Sequence, residues 1–163
     1  MFAVSLVLST IMAVAQPAPD PAKDFDFWIG EWKCAGDSYD AAGKATKTEA
    51  TNRIAKILDS KVVEENFKMG SFIGRSYSTY DPTAKLWRQT WVDNQGSYIA
   101  LTGKFEAGKM ILQTIPNPLQ PKVASRMVFE NIKKESFDWN WESSTDEGKT
   151  WKLNWHLRYT RVK

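Results

Sequence analysis

Phe25-Asp26-Phe27-Trp28-Ile29-Gly30-Glu31-Trp32 is the stretch on which the fold turns. It sets two tryptophans around one glycine. The aromatic rings supply large apolar area, and the glycine lets the backbone come close to a neighbour. The stretch reads as the first strand entering a core. That strand is expected from about Trp28 to Tyr39, with Trp28, Gly30, Trp32 and Cys34 on one face. By itself it specifies a fold and no chemistry.

Downstream, segments of six to ten residues alternate with turn signals, and helical periodicity is absent. This pattern indicates an antiparallel all-β protein. Strands are expected over Thr46 to Leu58, Lys61 to Met69, Phe72 to Tyr80, Leu86 to Asp93, Ser97 to Lys104 and Lys109 to Ile115. Val123 to Glu130, Ser136 to Ser143 and Thr150 to Arg161 complete a set of about ten. The three prolines of Pro116 to Pro121 exclude a central strand there, which leaves a connector or the rim of a pocket. Short sequential hairpins favour an up-and-down meander, and closing it removes both edges. The last strand sets Trp151, Leu153, Trp155, Leu157 and Tyr159 against Lys152, Asn154, His156, Arg158 and Thr160. The strand before it sets Phe137, Trp139 and Trp141 against Asp138, Asn140 and Glu142. One apolar and one wet face imply a single sheet around one interior. The expected fold is a single up-and-down β-barrel over residues 24–163.

Upstream, Phe2 to Ala15 is almost wholly apolar, and Ala13-Val14-Ala15 fits a signal-peptidase site. Residues 1–15 read as a signal peptide, residues 16–23 as an extended proline-rich linker, and the protein as secreted or periplasmic. The 163 residues carry 22 basic and 19 acidic side chains, a net charge of +3. That balance does not mark a nucleic-acid binder. No mature stretch approaches the roughly 18 apolar residues of a membrane span. Cys34 is the only cysteine, so no intramolecular disulfide can form.

Three motifs carry a resemblance. Phe25 to Trp32, Trp87 to Gly96 (WRQTWVDNQG) and Trp141 to Trp151 (WESSTDEGKTW) resemble, in this order, a bacterial family of lipocalin-like exported proteins within the calycin superfamily. The similarity spans about Asp24 to Arg161. It implies a calycin-type barrel of about ten strands and carries no established activity. Calycins have a Gly-x-Trp on the first strand, matched here by Gly30-Glu31-Trp32, and a late arginine that packs over that tryptophan. The resemblance therefore implies barrel closure by Trp32 with Arg161, or with Arg158. Haem-binding barrels of the nitrobindin type also resemble the chain in plan. Their late histidine implies haem held by His156, the only histidine here.

Strand parity argues otherwise for His156, since it faces away from Trp155 and Leu157. One histidine and one cysteine cannot build a multi-ligand zinc site, and no nucleophile-elbow pattern is present. Ser144 to Trp151 also fits the S-x-D-x-G-x-T-W pattern known as an Asp-box, which is expected to be a structural hairpin. The inward aromatic and polar residues are the candidate site. Trp87, Trp91, Trp139, Trp141 and Trp155 are expected as walls, with Glu65, Gln89 and Tyr159 fixing a ligand. A buried Glu65 needs a partner, for which Arg53 and Arg75 are available. Two readings of the interior follow: a pocket for a small, partly apolar or aromatic ligand, or a filled core with an internal hydrogen-bond network. The first describes a monomeric or weakly dimeric carrier without cofactor. An enzyme using Glu65 or Asp93 as acid or base is the further alternative.

Overall fold

The computed structural model describes residues 20–163. The expected signal peptide and most of the linker lie outside the described residues. Ten antiparallel strands form one closed barrel: β1 (Gly30–Tyr39), β2 (Ala45–Ile57), β3 (Val62–Met69), β4 (Phe72–Asp81), β5 (Leu86–Asp93), β6 (Tyr98–Glu106), β7 (Lys109–Thr114), β8 (Ala124–Lys133), β9 (Ser136–Ser144) and β10 (Lys152–Arg161). Each strand pairs with its sequence neighbours, and β1 pairs with β10 to close the sheet, Trp32 opposite Arg161. The fold is lipocalin-like. Among the described residues every strand is paired on both sides, so the sheet has no free edge.

The opening stretch behaves differently from a simple strand. Asp26–Trp28 is a 3₁₀ turn, and β1 begins only at Gly30. The chain turns there because Gly30 holds φ +136°, a conformation L side chains rarely adopt. Phe25 and Trp28, both fully buried, therefore plug one end of the barrel. Phe25 lies 4.8 Å from Trp87 and 5.6 Å from Phe129, both edge to face. The end of the linker is not extended either. Pro21–Lys23 is a 3₁₀ turn, and the Pro21 carbonyl accepts a hydrogen bond from Trp87 Nε1 at 3.1 Å.

Arg161 locks the plug. Its guanidinium lies 4.1 Å over the Trp32 ring, and donates from Nη1 to the Ile29 carbonyl (2.8 Å), from Nη2 to the Phe27 carbonyl (3.3 Å) and from Nε to the Lys134 carbonyl (3.0 Å). Trp32 Nε1 donates to the Trp28 carbonyl at 2.8 Å. Arg158 lies on the outer face and pairs with Asp138.

One expected face is corrected. The β9–β10 register shifts between Leu153 and Trp155, so Leu153 faces Glu142 and Trp155 faces Trp141. The extra residue reverses parity. Leu153 is thus exposed rather than inward. Trp151 precedes β10, with the Arg126 guanidinium 4.1 Å over its ring. The 144–151 hairpin is held by Asp146, whose carboxylate accepts from Ser144 Oγ (2.7 Å), Thr150 Oγ1 (2.7 Å) and Thr150 N (2.9 Å). These bonds hold its pKa down at about 2. The motif is a turn device.

Candidate binding cavity

The barrel interior is open over about 180 Å³. Trp91, Trp139, Trp141 and Trp155 wall this cavity together with Phe67, Phe72, Ile99, Met127 and Leu157. Trp28, the tip of the plug, lines it as well. Space for the Trp91 ring comes from Gly74 on the adjacent strand, where a Cβ would stand only 2.0 Å from the indole. The walls meet edge to face. Trp139 and Trp155 cross at 89° with centroids 5.4 Å apart, and Phe67 meets Trp155 at 87° and 5.7 Å.

Three polar side chains reach the cavity: Glu65, Tyr159 and Asp93. Glu65 is 5% exposed and fully hydrogen-bonded to neutral groups. Its Oε1 accepts from Asn52 Nδ2 at 2.7 Å, and its Oε2 from Ser76 Oγ at 2.6 Å. Asn52 Nδ2 also donates to the Tyr159 hydroxyl at 3.1 Å. Behind Ser76, Gln89 Nε2 donates to Ser76 Oγ (3.2 Å) and Ser78 Oγ (3.0 Å). Burial pushes the Glu65 carboxyl up to about 7, against the opposing pull of the Ser76 and Asn52 bonds. Burial also holds the Tyr159 hydroxyl well above its usual range. Asp93 accepts from Trp91 Nε1 (2.9 Å), Gln95 N (2.9 Å) and Ser97 N (3.1 Å), and its pKa is lowered. It caps the 93–98 turn while touching the cavity.

Six of the residues expected at a site line the cavity: Glu65, Trp91, Trp139, Trp141, Trp155 and Tyr159. Two do not. Trp87 is packed under Phe25 in the plug, and Gln89 sits in the network behind Ser76. Both face inward, as parity requires, but parity says nothing about depth along the barrel. The expected arginine partners of Glu65 are also corrected. Arg53 is exposed, and Arg75 lies 3.9 Å from Glu64 on the outer face. The true partners, Asn52 and Ser76, share the inward faces of β2 and β4 with Ile54 and Ser78. Alternation with Ala50 and Ile54 was the signal for Asn52. None of residues 115–123 lines the cavity, so the proline-rich stretch is a connector.

His156 does not line the cavity. It sits opposite Asn140 in the β9–β10 ladder, with Nδ1 2.8 Å from Asn140 Oδ1. A haem enclosed by the barrel would be out of its reach, so the residues present do not fit a histidine-ligated interior haem. A wider depression over Lys33, Glu49 and Lys68 lies on the outer wall and consists mostly of exposed side chains.

Cys34 lies beside this network. The residue is 2% exposed, and burial pushes its thiol pKa up to about 12. Labelling by a thiol reagent near neutral pH is therefore expected to be at least about a thousandfold slower in the native than in the denatured chain. Rapid native labelling would show that β1 opens.

Two solved structures share this architecture. Rv2717c from M. tuberculosis superimposes with a TM-score of 0.60 over 88% of this chain and 99% of that one, at 10% identity. The S-type phycobiliprotein lyase CPES from Guillardia theta gives 0.56 over 85% and 90%, at 11% identity. This chain is a lipocalin-like barrel. At such identities the likeness is one of fold alone. No protein-family model and no curated protein sequence matches the chain. Among the described residues no helix is long and apolar enough to cross a membrane.

Proposed function

We propose that this lipocalin-like barrel is an exported carrier that binds one small, partly apolar or aromatic molecule without covalent chemistry, as a member of the bacterial family its motifs resemble. The observation that carries the reading is the cavity itself. Small barrels can fill their interior with side chains, yet here about 180 Å³ stays open between four tryptophans. A cavity of about 150 Å³ in another protein accepts benzene, so this one suits a single ring with a short arm. The buried polar network supplies the few convergent groups that orient a ligand in such sites.

A carboxyl with a pKa near neutral is also what acid–base catalysis requires. Across the cavity, however, the other carboxylate is Asp93, already engaged by three donors of its own turn. Binding is therefore the better reading.

Titration of small aromatic and alicyclic compounds against tryptophan fluorescence tests it. A compound that binds is expected to lose at least about tenfold in affinity in Ile99→Trp, which fills the cavity, with the circular dichroism spectrum preserved. Unchanged affinity in that variant would put the ligand outside the barrel.

A further inference from the structure

The cavity carries a charge that its own walls do not balance. Its lining holds two carboxyl groups, Glu65 and Asp93, and no lysine, arginine or histidine. Asp93 is neutralised in part by the amide donors of its turn. Glu65 has only neutral partners, and the donors run in one direction. Gln89 donates to Ser76, and Ser76 and Asn52 donate to Glu65. Hydrogen bonds converging on both oxygens favour a carboxylate. A carboxylate buried without a cation is costly. The hydrogen bonds thus favour an anion that burial disfavours, and among the described residues lining the cavity none supplies a counter-charge.

The walls complete the picture. Parallel rings would form a slot for a flat ligand. Here Trp139 and Phe67 each meet Trp155 nearly at right angles, so Trp155 makes a corner with each of them. Aromatic faces are negative and attract cations, tryptophan most strongly. An anionic ligand such as a fatty acid would place its carboxylate among two others and find no basic group.

We propose that the ligand is a small organic ammonium ion, a primary or N-methylated amine on an apolar or aryl frame, with its nitrogen paired to Glu65 and its frame against Trp91, Trp139 and Trp155. This rests on the carrier reading above and adds the charge of the ligand. It also sets a pH dependence. Ammonium binding requires ionised Glu65, so affinity rises with pH through about 7. The other titratable groups around it do not move in that range. Cys34 and Tyr159 stay protonated, their pKa values being raised, and Asp93 stays ionised.

Three probes of one size separate the possibilities: benzylamine, benzyl alcohol and benzoate, titrated into the full chain by calorimetry. The amine is expected to bind at least about tenfold more tightly than the alcohol at about pH 8, and benzoate more weakly than either. The amine's preference should shrink towards about pH 6 while the alcohol's affinity stays level. Near neutral pH, amine binding should release a proton, seen as a dependence of the heat on the buffer's ionisation enthalpy. Glu65→Gln should remove the amine's preference over the alcohol; if that variant does not fold, the wild-type pH profile and proton release decide. Alcohol binding as well as the amine would overturn the ammonium inference and leave the carrier standing. If none of the three binds at millimolar concentration, the carrier reading falls with it.

Discussion

Arg161→Ala is expected to lower the unfolding free energy by about 4 kcal/mol, read from urea denaturation followed by tryptophan fluorescence. The side chain donates to the carbonyls of Phe27, Ile29 and Lys134 and stacks on Trp32. A hydrogen bond to a charged group contributes about 1.5–3 kcal/mol, and an orphaned buried carbonyl costs about 1–3 kcal/mol. These terms are not additive, because one side chain makes all of them, so the sum is capped below the arithmetic total. Lysine cannot present a planar fork to three acceptors, so Arg161→Lys should recover less than half of the loss. Gly30→Ala tests the same joint from the other side, since its Cβ would stand 2.2 Å from Arg161 Nη1 at φ +136°. A loss below about 1 kcal/mol in Arg161→Ala would mean that the plug is held by its aromatic contacts alone. The joint also bears on the site. The plug carries Trp28, and Trp28 lines the cavity.

That dependence explains which parts of the molecule the sequence reveals. Alternation exposes the barrel because each strand has one buried face, and the turn residues mark the strand ends. It assigns in and out but not height. Trp87 and Trp91 share a face four residues apart, yet Trp87 meets the plug and Trp91 walls the cavity. Where the inward residue is small and polar, alternation misleads. In β4 the apolar choice would turn Ile73 and Tyr77 inward, but both are exposed while Ser76 and Ser78 are fully buried. The serines are inside because Glu65 and Gln89 need hydroxyl partners and room. That requirement comes from other strands, so no local pattern contains it. The bulge at Asn154 is equally silent, and it moved Leu153 to the outer wall. The 3₁₀ turn before Gly30 is a third case, since Phe25 and Trp28 act as core by leaving the strand path.

The wild-type protein is expected to lose stability between about pH 5 and pH 8, by on the order of 3 kcal/mol, and Glu65→Gln is expected to abolish that loss. The sign follows from the carboxyl's two environments. Its pKa stands at 4.5 without the fold and is pushed to about 7 within it by burial. Between those values the folded chain holds a proton that the unfolded chain has released. The stabilisation from the neutral acid is complete below the unfolded value and lost as pH rises through the folded one. Cys34 and Tyr159 add no slope in this window, since their pKa values lie higher, and Asp93 titrates below it. Denaturant midpoints at several pH values, wild type beside Glu65→Gln, give the measurement directly. A flat wild-type profile would show that the Ser76 and Asn52 bonds keep Glu65 ionised and outweigh its burial. Repeating the series with saturating benzylamine separates the site from the scaffold. An ammonium ion beside Glu65 would pull its pKa back towards the unfolded value, and the slope should flatten. The same carboxyl that weakens the empty barrel at high pH would then be the group that selects its ligand.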